Sequence, residues 1–348
     1  MLTKVIMPDE LEEAAQMILQ GGIVAFPTET VYGLGAGIHQ EEAIQKIYRV
    51  KGRPMDNPLI VHISQKEQMV DLTRKVSKFA KILLDTFCPG PLTLILPKKE
   101  NLSHYITAGL DTVAIRIPIH PLAQKFIQLS GCPVAAPSAN LSGRPSSTIF
   151  THVKEDLWGK VDGIIKGDEP SLGLESTIVD VSVNPALILR PGHITLEMLE
   201  EVLGKGQIQY DPALLVRKER EGVAKAPGMK YKHYAPRADL FLLEGNAKAV
   251  KKKIMYYYQK KTEQGKKVGI MTVGKVSDYP QDFYRFLSKT GDEKQVASNL
   301  YRILREFDDL GVDYIYAENI RMEEGLSGAI FNRLIKAASY QIERVEDV

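Results

Sequence analysis

Apolar and polar positions along this chain follow two periods. In "PDELEEAAQMILQGG" the apolar residues recur every three or four positions, with Pro and acids in the first turn and Gly at the end, which predicts a helix. "IVAF" (Ile23 to Phe26) is a short unbroken apolar run and reads as a buried strand. "QEEAIQKIYRV", "SKFAKILLDTF", "HPLAQKFIQLSG" and "TLEMLEEVLG" repeat the helical pattern. "LIVHI", "LTLILP", "VAIRIP", "PVAAP", "GIIKG", "STIVDVS" and "ALILRPG" repeat the strand pattern. Strands outnumber helices over roughly the first 205 residues, so the expectation is a mixed, twisted sheet with helices packed on it rather than a strict parallel array.

The pattern breaks near Gly206. From there to Arg237 the chain is polar, basic and punctuated by Pro212, Pro227 and Pro236. About 30 residues without regular structure do not suit the inside of a compact domain, so this stretch reads as a linker. Met229, Tyr231, His233 and Tyr234 within it suggest that it packs against something. Strand and helix then alternate: "DLFLLEG", "AKAVKKKIMYYYQKKTEQG", "KVGIMTV", "EKQVASNLYRILREFDDLG", "DYIYAEN", "SGAIFNRLIKAAS". That spacing predicts a small βαβ domain with a parallel sheet. The expected organisation is residues 1–206 as a first domain, 207–237 as an ordered linker or lid, and 238–348 as a second domain.

Composition excludes several function classes. The 348 residues carry a net charge of +2, so no whole-molecule field announces a nucleic-acid binder. Two cysteines, Cys88 and Cys132, exclude a disulfide framework and a Cys-based zinc site, and suit a reducing cytoplasm. The seven histidines form no HExxH or HxxxH cluster, so no metal site of protein side chains is expected. The N-terminus lacks a signal pattern, and no run approaches ~20 apolar residues, so no membrane association and a cytoplasmic location are expected.

The candidate chemistry sits at predicted strand ends. "FPTETVYGLG" follows the first buried strand with Thr28, Glu29 and Thr30, and then with Gly33, Gly35 and Gly37, which read as a flexible turn. No G-x-x-x-x-G-K-[ST] exists, and "GLGAG" lacks the G-x-G-x-x-G spacing, so a triphosphate would be held mainly by Lys and Arg side chains. "KGRPMDNPLIVHI" offers Lys51 and Arg53, with Asn57 and then His62 in the next strand; Pro54 and Pro58 stiffen the turn. A solvated basic turn is the bland alternative. Arg116 lies between Ile115 and Ile117, and must either reach solvent or pair with an anion. Thr112 stands at that strand's entrance. "VAAPSANLSGRPSS" presents Ser138, Asn140 and Ser142 after a strand of small residues; "GLESTIVD" presents Ser176 and Thr177; "LILRPG" ends in Arg190. Ligands in α/β sheets collect at strand ends, and the pattern repeats across separate segments. With no G-x-S-x-G and no nucleophilic Cys context, cations and hydroxyls point to positioning and charge stabilisation, as in phosphoryl or nucleotidyl transfer.

Taken in order, "PTETVYGLG", "KGRP…NPL", "RIP", "PSAN", "ESTIVD" and "RPG" resemble the L-threonylcarbamoyladenylate synthases, the YrdC-type domain family; "PGMKYKHYAP" and the tail resemble its long two-domain form. The resemblance implies an α/β fold: a twisted mixed-sheet YrdC-like domain followed by a small Rossmann-like parallel domain. It implies a nucleotidyltransferase that condenses L-threonine, bicarbonate or CO2, and ATP, normally accompanied by Mg2+, into threonylcarbamoyl-AMP and pyrophosphate. That product feeds N6-threonylcarbamoyladenosine formation beside the tRNA anticodon, through downstream transferase proteins. The implied threonine site is Thr30, His62, Arg116, the backbone around Ala136, and Ser176. The implied ATP site is Arg53, Asn57, Thr112, Ser138, Ser146, Arg190 and Tyr234, with Lys51 and Arg53 catalytic and Asn140 a possible addition. Two alternatives stand beside this: a carbamoyl-adenylate-forming enzyme, and a double-stranded RNA or tRNA-binding module using the basic helix around Lys251–Lys267.

Overall fold

In a computed structural model, which describes residues 2–214, 224–230, 233–276, 278–320 and 325–346, contacts divide the chain into two units. The first comprises Met1–Ser142 and Ser146–Tyr231, the second Gly143–Pro145 and Lys232–Val348.

The short apolar runs of the first unit become one sheet. Among the described residues it has eleven strands, in the order Lys4–Ile6, Gly163–Ile165, Val24–Phe26, Gly33–Gly37, Val134–Ala136, Ile60–His62, Thr112–Arg116, Leu92–Pro97, Thr177–Asp180, Ala186–Arg190 and Ile208–Tyr210. Parallel and antiparallel pairs are mixed, as expected. Ile208–Tyr210, inside the stretch read as a linker, pairs in parallel with Ala186–Ile188 as the last strand. The helices Glu41–Lys51, Lys78–Phe87 and Leu196–Leu203 bury their apolar stripes on one face, against Val61, Leu94, Ile115, Ala135 and Val179. Ser77 and Thr195 cap two of these helices by accepting the Ala80 and Met198 amides.

The opposite face is covered in two pieces. Helices Leu11–Leu19 and Pro121–Leu129 cover Val24, Phe26, Val134 and Ala136. Farther along, Ala226 and Met229 pack on Ile60, Ile95, Ala114, Ile178 and Leu189. Tyr231, the aromatic expected to pack nearby, lies outside the described residues.

The glycines after "PTET" turn out not to be a flexible loop. Gly33, Gly35 and Gly37 lie in a strand antiparallel to Val24–Phe26, with Phe26 opposite Gly33 and Val24 opposite Gly35. Gly33 and Gly35 leave room for the Phe26 ring, which crosses the strand where their side chains would stand. A Cβ at Gly33 would meet that ring at 3.0 Å.

In the second unit, five strands run parallel in the order Tyr284–Phe286, Val268–Thr272, Tyr314–Glu318, Asp239–Glu244 and Ile342–Arg344, among the described residues. Helices Ala247–Thr262, Glu293–Leu310 and Ser327–Ala337 connect them, giving the expected parallel α/β domain.

The close fit of Phe26 makes Gly35 a sensitive position. A methyl there would fall 2.5 Å from Val134 Cγ1 and 3.0 Å from the Phe26 ring. Gly35→Ala should therefore destabilise the protein by about 1–3 kcal/mol through overpacking, read as a lower thermal midpoint.

Candidate active site

Strand register assembles the first cluster. Ile60–His62 pairs in parallel with Thr112–Arg116, with His62 opposite Arg116; Thr93 of the antiparallel neighbour lies opposite Arg116 on its other side. His62, Arg116 and Thr93 thus form one row across three strands, and side-chain alternation puts them on one face. This row lies on the face that the Leu11–Leu19 and Pro121–Leu129 helices cover at one side and Ala226 and Met229 at the other.

Arg116 is the row's charged member and only 5% exposed. Its Nη1 donates to Thr30 Oγ1 at 2.9 Å. Its Nη2 lies 2.8 Å from Glu29 Oε1, but off the line of a hydrogen bond, so the pair is an ion contact only. Arg116 Nε and both Glu29 oxygens likewise make no hydrogen bond, although both residues are buried. Of the two outcomes left open for a strand arginine, the structure gives burial against an anion. Thr28 holds the loop in place: its Oγ1 donates to the Val31 carbonyl at 2.7 Å and lies 2.9 Å from Thr30 Oγ1. His62 Nδ1 lies 3.0 Å from the Ile60 carbonyl, and Phe26 meets the ring edge-on at 5.7 Å. Burial, reinforced by the Arg116 charge, pulls the His62 pKa down to about 3. His62 is therefore neutral at physiological pH.

Ser176 extends the cluster. Its Oγ shares a 2.7 Å hydrogen bond with Thr93 Oγ1. Arg190 donates to the same Oγ through Nη2, and to the Ser176 carbonyl through Nε, each at 3.0 Å. Ala136 is buried in its strand opposite Ile60.

A second cluster forms where the Glu41–Lys51 helix ends. Gly52 takes the left-handed conformation (φ 62°) that closes a helix, which turns the chain toward Arg53. Lys51 is buried and donates to the Ser138 carbonyl at 2.5 Å and to the Asn140 carbonyl. Ser138 Oγ donates to Asn140 Oδ1 at 2.5 Å. Arg53 donates to the carbonyls of Asn57 and Pro58 at 3.0 and 2.8 Å. The Tyr48 hydroxyl also donates to the Asn57 carbonyl, while Asn57 Oδ1 is buried without a hydrogen bond. "KGRP…NPL" is thus not a solvated turn: its cations fold back and brace the "PSAN" loop and their own.

Ser146 donates to the Glu175 carboxylate at 2.6 Å, both buried. Thr112 stands four residues before Arg116, on the same face, about 13 Å away along the strand. Tyr234 lies in the second unit, with positive φ (65°), stacked on Tyr301 at 5.3 Å and beneath the Arg333 guanidinium. Glu29, Thr93 and Glu175 were not assigned roles from sequence. Glu29 had a signal, a lone carboxylate between two site threonines. Thr93 had a weaker one, the only hydroxyl in "LTLILP".

The chain has extensive relatives. A family model described as "Telomere recombination" matches residues 16–192, and one described as "Threonylcarbamoyl-AMP synthase, C-terminal domain" matches residues 194–339. Threonylcarbamoyl-AMP synthase of Pyrococcus abyssi is 48% identical over 332 residues, 95% of each chain. That of Bacillus subtilis is 45% identical over 96% of this chain and 94% of its own. The crystal structure of P. abyssi Sua5 complexed with L-threonine superposes with a TM-score of 0.92 at 45% identity, covering 99% of this chain and 100% of that one. With both units matched over nearly their whole length, the chain belongs to the threonylcarbamoyl-AMP synthase family.

Proposed function

We propose that this protein joins L-threonine, bicarbonate or CO2, and ATP into threonylcarbamoyl-AMP, releasing pyrophosphate. The product would serve N6-threonylcarbamoyladenosine formation on tRNA through downstream transferase proteins. The observation that carries this reading is the buried Arg116 guanidinium, with donors left over beside Thr30, in a chain nearly half identical to synthases of that name.

An α-carboxylate suits Arg116: a planar fork meets a planar anion, and both are shielded from water. Thr30 and Ser176 add hydroxyls to orient the amino acid, and neutral His62 adds a ring nitrogen without a second positive charge. The carbamate formed on threonine's nitrogen then attacks the α-phosphorus in line. Lys51, Arg53 and Arg190 would offset the triphosphate's charge, with Asn57, Ser138, Asn140 and Ser146 fixing its register. Thr112, about 13 Å along the strand from Arg116, is separated from the carboxylate clamp by the span that a bound threonine and its adenylate would fill. Carbamates decompose in water, and the cover formed by Ala226 and Met229 suits a site that must stay dry. Among the described residues no group of three or more His, Cys, Asp or Glu could hold a metal ion. Mg2+, brought in with ATP, would supply charge neutralisation at the phosphates.

The first test is pyrophosphate release with ATP, Mg2+, bicarbonate and each amino acid in turn; release should require both L-threonine and bicarbonate. Release with carbamoyl phosphate in place of threonine would move the assignment to carbamoyl-adenylate chemistry. Arg116→Ala should raise the threonine KM roughly 30-fold or more, since truncating one member of a buried charge pair costs about 2–5 kcal/mol. Lys51→Ala should instead lower kcat about 100-fold, with a smaller change in threonine KM. An equal loss of both parameters in both variants would refute this division. His62 adds a pH prediction. Unfolded, it takes a proton near pH 6.5; folded, only near 3. The unfolded state therefore binds more protons between these values, so stability falls as pH drops through that window. His62→Gln should flatten this loss, measured by urea midpoints from pH 7 to 4.

A further inference from the structure

Resting on the reading of Arg116 as the threonine carboxylate clamp, we propose that Glu29 is the general base of the reaction, taking a proton from threonine's α-ammonium so that the nitrogen can attack carbon. Glu29 is buried, yet neither of its oxygens makes a hydrogen bond, and its nearest charge is Arg116 Nη2 at 2.8 Å. A carboxylate in that state has unused acceptor capacity aimed at the guanidinium. When a substrate carboxylate takes the guanidinium, its ammonium follows, because both groups hang from one carbon and lie about 3 Å apart. Glu29 is then the acid within reach.

The neighbouring titratable groups are poorer bases. Arg116 is a permanent cation. His62 binds a proton only near pH 3, and its Nδ1 is engaged with the Ile60 carbonyl. Burial pushes the Cys88 thiol up to about 11, which keeps it protonated. His120 feels the Glu29 charge, but its Nδ1 accepts the Leu122 amide as a helix cap.

The step balances as follows. With bicarbonate, the ammonium gives one proton to a Glu29 oxygen, the nitrogen lone pair forms the N–C bond, and the C–O bond to the departing hydroxide breaks. The hydroxide leaves with a second amine proton, as water. With CO2 the same first proton goes to Glu29, no C–O bond breaks, and the second proton leaves to solvent. Either route yields the threonine carbamate, its oxygen ready for the α-phosphorus.

The test is the pH dependence of threonine- and bicarbonate-dependent pyrophosphate release, in the full-length wild type, Glu29→Gln, Glu29→Asp and His120→Gln. Glu29→Gln should lose about 100-fold or more in kcat/KM near pH 7. It should regain about tenfold per pH unit as the free amine becomes available without a base, while the wild type stays flatter. Glu29→Asp keeps a carboxylate, so it should show a wild-type profile at reduced rate; it decides the matter should Glu29→Gln fold poorly. A folded Glu29→Gln that keeps its rate, or loses the same factor at every pH, would reduce Glu29 to a counter-ion for Arg116 and overturn the proposal. So would a changed profile confined to His120→Gln. A wild type that releases no pyrophosphate with threonine would overturn the parent reading instead, before any variant is compared.

Discussion

The buried guanidinium of Arg116 governs the first unit. A cation withdrawn from water carries a desolvation penalty of several kcal/mol unless anions or acceptors surround it. The chain answers with Glu29 and Thr30, delivered by one loop. That loop must then be held still. Thr28 ties it internally, the Tyr32 amide donates to the Ser147 carbonyl, and the Leu172 amide to the Glu29 carbonyl. Phe26, just before the loop, lies across a strand of glycines and meets the His62 ring. His62 sits in register with Arg116 and stays neutral, since a second buried cation would add to the same penalty. Sheet register, loop and ring packing are all adjusted to one charge.

Much of this was legible in the sequence because it rests on local periodicity. An arginine inside an apolar strand is conspicuous, and its even spacing from Ala114 fixes the face it occupies. Helices with clear apolar stripes, and the alternating second unit, followed for the same reason. The illegible parts depend on partners distant in sequence. "GLGAG" reads as a turn until Phe26 is seen to need the missing side chains. Ile208–Tyr210 has too few residues to show a period, and becomes a strand only by pairing with Ala186–Ile188. The inward turn of Lys51 and Arg53 onto backbone carbonyls was equally hidden, because a K-x-R spacing is the same whether the cations face solvent or brace loops. Tyr234 shows a further limit: its motif speaks for a ligand, while its described ring contacts lie with Tyr301 and Arg333.

The segment carrying Ala226 and Met229 is fastened by more than apolar contact. Lys225 pairs at 2.9 Å with Asp180, whose side chain is 0% exposed, while that of Lys225 is 41% exposed. Asp180 also accepts from the Ser182 amide and hydroxyl; among the described residues Lys225 is the cation paired with it. Lifting the segment would strand a buried carboxylate without its counter-charge, and water would have to reach it to solvate it. The cover is thus held by charge as well as by apolar contact, with its ammonium seated on Asp180.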